Sequence, residues 1–408
     1  MPLRPAVESV ESAQQADGAI PLCVDLDGTL IKSDSLYDGF CQFARTHPLE
    51  LGRVPLWVLG GKARLKREIA ARAPLDVARL PYNTPLLSFL QTARRKGRGL
   101  YLATGADSAL AERVAEHLGI FAGVLASDGV TNLTHGSKLR SLQERFGTFD
   151  YIGNARADLP LLAAARTAMV ANPTLGLRAG LRRRAIPVAQ VFRDQRPMGR
   201  TLVKAIRIHQ WAKNLLLFLP LLLSHHINAR GLIAALAAFS CFSFIDSGNY
   251  LVNGMLDIES DRHYPGKRLR PFAAGDLAVT SGFALAAALV LAAVALLPLL
   301  PAAFALWMGV YVAATLSYSL YLKQVAIVDV LLLAGLYMLQ LLAGGAATGT
   351  PVSHWLAGFS ILLFLSLAMV KRYGERENLR ARTQQLYEER PPIVRKDRAS
   401  SRSKRPGP

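Results

Sequence analysis

Two long stretches without charge stand out in the second half of the chain. Residues 277–322 and 330–370 contain no Asp, Glu, Lys or Arg. A helix needs about 20 apolar residues to cross a bilayer, so each stretch is long enough for two spans, and turns containing proline divide both. With two apolar runs upstream, the pattern predicts six membrane helices, at about 213–229, 231–253, 279–299, 302–322, 326–348 and 353–371.

The first half of the chain has a different pattern, in which short apolar runs alternate with helical stretches. The runs IPLCVDLD, GRGLYLAT, AGVLAS, FDYIGN and TAMVA have the length of strands. Such alternation is typical of a parallel, doubly wound α/β sheet, which we expect at residues 19–175 with a helical insertion at 33–95. The remaining segments are predicted as a disordered terminus at 1–18, a basic linker at 176–212, an all-α membrane domain at 213–375 and a disordered basic tail at 376–408.

The charge distribution indicates a membrane partner rather than a nucleic acid. The formal net charge is +19, but the basic residues flank apolar runs and form no patches with aromatic residues. Because basic residues mark the cytoplasmic ends of membrane helices, we expect a multi-pass protein of a bacterial inner (plasma) membrane, with its N-terminal domain in the cytoplasm. The residues on the cytoplasmic side would be Lys213, Arg262, Lys267, Arg268, Arg270, Lys323, Lys371 and Arg372. The three isolated cysteines predict no disulfide framework, and the polar first residues predict no cleaved signal peptide.

The first predicted strand ends in the sequence VDLDGTL, residues 24–30. Asp25 and Asp27 are two residues apart, so both can point the same way at the carboxyl edge of the sheet, where such folds bind ligands. Two neighbouring carboxylates suit phosphoryl transfer, because one can attack phosphorus while the other protonates the leaving oxygen. A Mg²⁺ ion would offset the repulsion between these carboxylates and a phosphate. Asp-Gly pairs are also common in ordinary turns.

DxDGT at a strand end resembles the haloacid dehalogenase superfamily, and the family's later motifs follow in order over about residues 20–175. The resemblance implies that Asp25 is the nucleophile and Asp27 the acid. It implies that Thr104 of LATGA binds the phosphate and that Lys138 of THGSKL steadies the nucleophile and the phosphate. The helical insertion resembles the family's cap, which selects substrates and excludes water.

The same resemblance implies a Mg²⁺ site. Asp158 of GNARAD matches the family's metal-binding acid, and Asp25 and Asp27 would share the ion with it. Asn154 stands where the family often has Asp, and its amide oxygen can hold a metal or an ordered water at lower charge.

A second group of acids lies at the end of the second predicted membrane helix, in VNGMLDIESDRHYPGKRLRP at residues 252–271. On a helix, positions 254, 257 and 261 share one face. Acids there would chelate Mg²⁺ on a diphosphate, and the basic residues that follow would hold the remaining phosphate charge. Anchoring at the membrane surface also explains some of the basic residues, such as Arg262 and Arg268.

This segment resembles the first motif of the UbiA superfamily of intramembrane prenyltransferases. The stretches HQWAKNLLLFLPLLL, YSLYLKQVAIVDV and VKRYGE extend the similarity over about residues 200–376, to the branch that makes decaprenyl-phosphate phosphoribose. The resemblance implies that a phosphorylated sugar donor, phosphoribosyl diphosphate, and a polyprenyl phosphate of the membrane are the substrates. It implies that Asn253, Asp257 and Asp261 hold Mg²⁺ and the donor's diphosphate. The residues that would contact phosphates are Lys213, Lys267, Arg270 and Lys323.

Three functional interpretations remain open. In the first, the transferase makes a phosphorylated product that the phosphatase of the same chain dephosphorylates. In the second, only the phosphatase is active and the membrane domain is a tether or lipid-binding module. In the third, neither domain is active and the chain is a decaying gene product or an assembly subunit. Gly254, where the motif has a carboxylate, and Gln340, where relatives tend to carry Arg, favour the second. Having fewer spans than the family usually has, the chain is expected to be truncated or to use helices from another chain.

Overall fold

The structure, a computed structural model, describes residues 20–127, 135–320 and 326–388. It divides into two compact units. The first comprises Met1–Ile208 and Asp246–Val290, and the second comprises His209–Ile245 and Leu291–Pro408. Part of the predicted membrane domain therefore belongs to the same compact unit as the predicted phosphatase domain.

Six strands form the centre of the first unit. They are β1 (Leu22–Val24), β2 (Leu100–Asp107), β3 (Gly123–Ser127), β4 (Asp150–Gly153), β5 (Ala168–Ala171) and β6 (Gln190–Phe192). All neighbouring strands are parallel, in the order β3-β2-β1-β4-β5-β6. Leu22 and Val24 of β1 pack in one apolar cluster and Cys23 in another, so both faces of the sheet are covered. This confirms the predicted doubly wound α/β fold.

Helices surround this sheet and fill the predicted insertion between β1 and β2. The insertion contains α1 (Ser35–Thr46), α2 (Val54–Leu59), α3 (Lys62–Arg72) and α4 (Thr84–Arg95). Phe43, Trp57 and Ala73 form a small buried cluster within it, in which the Phe43 and Trp57 ring centroids are 5.3 Å apart. The helices that follow the later strands are α5 (Ser108–Leu118), α6 (His135–Phe146) and α7 (Leu159–Ala164).

The structure differs from the predicted basic linker at 176–212. That segment begins within α8 (Leu175–Arg183), continues through β6 and reaches α9 (Met198–Ile206). Leu177 and Leu181 of α8 are buried one helical turn apart, and β6 pairs with β5. The arginines of α8 obscured this amphipathic pattern in the sequence, because their charges stay in water while the leucines pack inward. The sheet therefore extends past residue 175.

The predicted first membrane span, 213–229, is wrong. Its residues form the end of a 3₁₀ helix, Ile208–Phe218, and the short helix α10 (Leu219–Leu223). Five residues of α-helix extend only about 7.5 Å, far less than the thickness of a bilayer core. Pro220 lies in the first turn of α10, a position where proline starts a new helix instead of continuing an earlier one, and the polar sequence SHHIN follows.

The acidic segment follows a long helix with a break at its end. Helix α11 (Ala229–Leu256) stops before Asp257, and the short α12 (Ile258–His263) begins after it. Backbone hydrogen bonds from Asp257 to Asn253 (2.9 Å) and from Asp261 to Asp257 (2.8 Å) continue the helical spiral across this point. The predicted positions 254, 257 and 261 thus lie along two consecutive helices rather than one.

The remaining helices are apolar. They are α13 (Val279–Leu296), α14 (Ala302–Leu320), α15 (Ala326–Thr348) and α16 (His354–Glu388). Among the described residues, three helical stretches are long and apolar enough to cross a membrane: Ala229–Leu256, Val279–Leu299 and Val330–Thr348. Two of the six predicted spans correspond to shorter apolar stretches, Ala302–Ser317 and His354–Val370. Together with the apolar composition, these helices indicate a membrane protein.

Helix α16 also corrects the predicted tail. It continues to Glu388, so the first part of the segment 376–408 is helical where the sequence analysis predicts disorder. The residues concerned, such as Glu, Leu, Arg and Gln, have high helix propensity and extend a helix that is already formed. Residues 1–19 and 389–408 lie outside the described part of the chain.

Candidate active site

The two motif carboxylates follow β1 directly. The Asp25 amide still donates to the carbonyl of Ile152 in β4 (3.1 Å), which holds this residue at the edge of the sheet. Gly28 then adopts a positive φ of 72°, a conformation that glycine tolerates easily. A Cβ on Gly28 would also overlap the Asn154 side chain. The glycine therefore lets the turn that contains Asp27 pass close to Asn154.

A buried ion pair joins Asp25 to Lys138. The Lys138 ammonium of α6 donates to Asp25 Oδ1 at 2.7 Å, and the lysine side chain is 5% exposed. Burial raises the pKa of Asp25 to about 7, against the lowering effect of the Lys138 charge, and the Asp158 carboxylate adds to the rise. One ammonium therefore compensates these carboxylates incompletely, and further positive charge would stabilise their ionised forms.

Asp27 is oriented by the start of α1. Its Oδ1 accepts a hydrogen bond from the Ser35 amide at 2.8 Å. Burial raises the pKa of Asp27 to about 7, and the Asp34 carboxylate raises it further, while the Ser35 hydrogen bond lowers it. A carboxyl group with a pKa near neutrality can both donate and accept a proton at physiological pH.

Asp158 is held after β4 by three donors. Its Oδ1 accepts from the Tyr151 hydroxyl, and its Oδ2 accepts from the amides of Asn154 and Ala155, each at 3.0 Å. Gly153 makes this possible, because a Cβ there would overlap the Asp158 carboxylate. The acid is therefore fixed in place before any ligand binds.

These side chains meet at one cleft of about 450 Å³. The predicted site residues that line it are Asp25, Asp27, Lys138, Asn154 and Asp158. Carboxylate and amide oxygens are the ligands that Mg²⁺ prefers, and a divalent cation would offset the crowding that raises the pKa of Asp25 and Asp27. The residues present therefore fit a Mg²⁺ ion.

The threonine predicted to bind the phosphate and a lysine of the insertion lie beside this cleft. Thr104 is fully buried, and its hydroxyl accepts from the Ala106 amide at 3.0 Å; its neighbour Gly105 lines the cleft. Lys66 of α3 donates to the Gly105 carbonyl and lines both this cleft and a second cavity of about 370 Å³. Lys66 is not among the residues predicted from the sequence, in which the basic run KARLKR of the insertion was its signal.

The acids of the second motif contact arginines. Asp257 pairs with Arg45 of α1, and Arg270 Nη1 donates to both carboxylate oxygens of Asp261, at 3.0 and 2.8 Å. Burial raises the pKa of Asp261, and the Arg270 hydrogen bond opposes this rise. Asn253 is half-buried in the last turn of α11, and Lys267 is exposed. The structure thus joins two of the predicted site residues, Asp261 and Arg270, in an ion pair.

Gly254 packs against an aromatic ring. A Cβ at this position would lie 3.1 Å from Phe272 Cδ2, which is a tight contact. The glycine that replaces a motif carboxylate therefore leaves room for Phe272, and the ring occupies the space next to the position where the carboxylate would begin.

Other predicted positions lie in the second unit or outside the described residues. Lys213 lines an apolar cavity of about 430 Å³ with leucines and Tyr337. Gln340, 1% exposed, donates to Asn214 Oδ1 at 3.0 Å, and Asn214 donates to Ser243 Oγ at 3.2 Å. Gln340 therefore belongs to a buried amide and hydroxyl network. Lys323 lies outside the described residues.

Comparison with known proteins agrees with both halves of this architecture. Residues 22–163 match the model of the haloacid dehalogenase-like hydrolase family, and residues 215–383 match that of the UbiA prenyltransferase family. The chain therefore contains a domain of each family. The match to the UbiA prenyltransferase family includes the acidic segment and begins in the second compact unit.

One relative matches most of this chain, and another matches less than half of it. The uncharacterized protein y4nM of Sinorhizobium fredii is 36% identical over 362 residues, 88% of this chain and 70% of that protein. Decaprenyl-phosphate phosphoribosyltransferase of Corynebacterium glutamicum is 38% identical over 179 residues, 43% of this chain and 54% of that enzyme. The chain therefore spans about half the length of that curated transferase. A solved Bordetella pertussis protein of unknown function matches 43% of this chain and 98% of its own, at 20% identity and a TM-score of 0.34.

Proposed function

We propose that the chain is a membrane-bound, Mg²⁺-dependent phosphomonoesterase. The observation that carries this proposal is the ion pair between Lys138 and Asp25, at 2.7 Å, with Asp27 on the same edge of the sheet. A carboxylate held by a single ammonium, beside a second carboxyl group with a pKa near 7, is the arrangement that aspartyl-phosphate chemistry requires.

The residues would divide the reaction into two steps. In the first, Asp25 attacks phosphorus, the bond to the leaving oxygen breaks, and Asp27 gives that oxygen its proton. In the second, Asp27 takes a proton from the water that attacks the aspartyl phosphate, which releases phosphate and restores both side chains. Lys138 stabilises the negative charge shared by Asp25 and the phosphate. Bound Mg²⁺, held by Asp25, Asp27, Asp158 and Asn154, would supply further positive charge.

Full-length protein in detergent tests this proposal by phosphate release from a phosphomonoester with Mg²⁺. Asp25→Asn should abolish turnover, because an amide cannot form the phosphoenzyme. Glu116→Gln, which also removes one carboxylate but at an exposed position of α5, is the matched control and should keep full activity. An active Asp25→Asn variant would exclude Asp25 as the nucleophile.

The substrate is proposed to be the phosphorylated sugar of a polyprenyl phosphate lipid. A membrane protein whose C-terminal half resembles a decaprenyl-phosphate phosphoribosyltransferase supports a lipid-linked phosphate over a soluble one. The positive flanks of the apolar helices support a position in the inner membrane with the phosphatase domain in the cytoplasm.

Phosphoribosyl transfer is the second candidate function, and the similarity to the Corynebacterium enzyme favours it. Asn253, Asp257 and Asp261 would hold Mg²⁺ and the donor's diphosphate. The residues that would contact phosphates are Lys213, Lys267, Arg270 and Lys323. The phosphate would then have to share Arg270 with Asp261, to which it is bonded here.

Transfer of labelled phosphoribose to polyprenyl phosphate in membranes tests this second function. Activity that is lost in Asp261→Asn and kept in Asp25→Asn would establish two separate active sites. Absence of transfer by the unmodified chain would leave the membrane region as a tether for the phosphatase.

A further inference from the structure

We propose that the acidic segment of the prenyltransferase-family region, residues 257–280, completes the phosphatase site, and that Arg262 is a positioning residue for Asp27. This inference rests on the proposed phosphatase function. The family match assigns the segment to the prenyltransferase region, yet the segment belongs to the same compact unit as the α/β sheet.

Arg262 is buried against the start of the insertion. Its Nη2 donates to Asp38 Oδ2 at 2.7 Å and to Ser33 Oγ at 3.1 Å, and its Nε donates to the Ala273 carbonyl at 3.1 Å. The Arg262 and Asp38 side chains are 2% and 1% exposed. A buried guanidinium with this many oriented partners fixes the geometry of the groups around it.

The residues that Arg262 contacts are neighbours of the groups that orient Asp27. The Ser33 carbonyl accepts from the Gly28 amide at 3.0 Å, which closes the turn that follows Asp27. The Ser35 amide donates to Asp27 at 2.8 Å, and Asp38 lies one turn further along the same helix, α1. Arg262 therefore contacts residues on both sides of Ser35, whose amide donates to Asp27.

Additional contacts hold the segment in this position. Glu259 Oε1 accepts from the Asp76 amide at 3.0 Å, and Arg79 donates to the His263 carbonyl at 3.3 Å. At the other end of the segment, Lys32 donates to Asp276 at 3.3 Å. The segment thus contacts the insertion and the residue before it at several points.

The end of the segment also forms part of the cleft wall. Phe272, Leu277, Val279 and Thr280 line the same cleft as Asp25 and Asp27. The leaving group of a bound phosphomonoester would therefore lie beside an apolar wall whose last residues begin helix α13. This wall suits an amphiphilic leaving group better than a fully charged one.

The position of Asp27 affects some substrates more than others. An alkyl phosphate has a basic leaving oxygen that needs a proton from the acid, whereas p-nitrophenolate leaves readily without one. Loss of positioning should therefore lower the rate of the first step, measured as kcat/KM, selectively for an alkyl phosphate. A general loss of structure would lower turnover of both substrates equally.

The test uses the full-length protein in detergent with octyl phosphate and p-nitrophenyl phosphate. For Arg262→Gln we expect a kcat/KM about 10-fold lower on octyl phosphate and changed by less than about 3-fold on p-nitrophenyl phosphate, since general acid catalysis contributes about 10²–10⁴-fold. The ratio kcat/KM reports the first step alone, whereas kcat also includes the hydrolysis of the aspartyl phosphate, which is common to both substrates. Arg262→Lys, which keeps the charge and one donor, should recover part of the loss. Arg268→Gln, an exposed arginine of the same segment, is the matched control and should change neither value.

The double variant Asp38→Asn with Arg262→Gln covers the case in which the single variant fails to fold, because it removes both buried charges together. The same selective loss in the double variant supports the inference. Equal losses on both substrates, or values matching the Arg268→Gln control, overturn it. Asp25→Asn separates the two proposals: if it stays active the phosphatase assignment fails, whereas an inactive Asp25→Asn with an unselective Arg262→Gln refutes only the role of Arg262.

Discussion

The phosphatase cleft and the acidic segment both concentrate carboxylates, but they compensate the negative charge differently. In the cleft, Lys138 is paired with Asp25 while Asp27 and Asp158 are held by neutral donors. In the acidic segment, Asp257 pairs with Arg45 and Asp261 with Arg270. Spacing in the sequence identifies carboxylates that can meet, but the nearby cations determine whether those carboxylates still attract a metal ion.

The largest expected effect is on catalysis in the cleft. Lys138→Met removes the ammonium that is paired with Asp25, the proposed nucleophile, and should lower phosphatase turnover about 100-fold or more, as loss of a transition-state donor does. Lys267→Met, an exposed lysine of the acidic segment, should leave phosphatase turnover unchanged. Steady-state phosphate release measures both, and comparable losses in the two variants would contradict the separation of the two regions.

Mg²⁺ should stabilise the folded protein by binding in the cleft and not in the acidic segment. A ligand that binds only the folded state raises stability by about 2.7 kcal/mol at a concentration 100 times its Kd, so the thermal midpoint of the wild type should rise as Mg²⁺ is added. The rise should disappear in Asp158→Asn and persist in Asp261→Asn. A rise that Asp261→Asn removes would place the metal in the acidic segment instead.

The stability of the folded protein should depend on pH through Asp25 of the cleft. Burial raises the pKa of Asp25 from 3.8 to about 7, so the folded state favours the neutral carboxyl group. The stabilisation from this raised pKa is complete below the unfolded value and is lost as the pH rises through about 7. In EDTA, the wild type should therefore lose thermal stability relative to Asp25→Asn between about pH 4 and about pH 8. A difference between them that stays constant over this range would show that Asp25 does not titrate there.

The smallest effect is expected on the free energy of unfolding when Asp257, the first acid of the segment, is replaced. The side chains of the Arg45–Asp257 pair are 40% and 30% exposed, so Asp257→Asn should cost no more than about 1 kcal/mol. Asp38→Asn removes the closer carboxylate from the buried Arg262 and leaves it only Glu259 at 3.7 Å, so the cost should approach that of a broken buried pair, about 3–5 kcal/mol. The thermal midpoints of the two variants in detergent measure this difference. Equal shifts would show that the buried ion pair stabilises the protein no more than the exposed one.

The sequence predicted the local parts of this molecule better than its long-range contacts. Asp25 and Asp27 are separated by one residue at a strand end, so the alternation of side chains along a strand already places them together. Lys138 and Asp158 could be added by family resemblance, and the structure brings both to the same cleft.

Contacts between distant residues could not be predicted in this way. The partners Arg262 and Asp38 are 224 residues apart in the chain, and nothing in the local pattern of either indicates the other. The first membrane span was predicted from hydropathy alone, which does not register that Pro220 starts a new, short helix. Likewise, β6 was not predicted because it follows an arginine-rich helix. The charges of that helix suggested a linker, although its leucines Leu177 and Leu181 are buried.

The buried pair of Arg262 and Asp38 also constrains how the two families within this chain can evolve. A substitution at either position leaves an uncompensated charge in the interior, so tolerated changes should arise jointly, as a correlated pair across relatives that carry both halves. Exchange of either half between relatives by recombination would therefore succeed only when both members of the pair are inherited together.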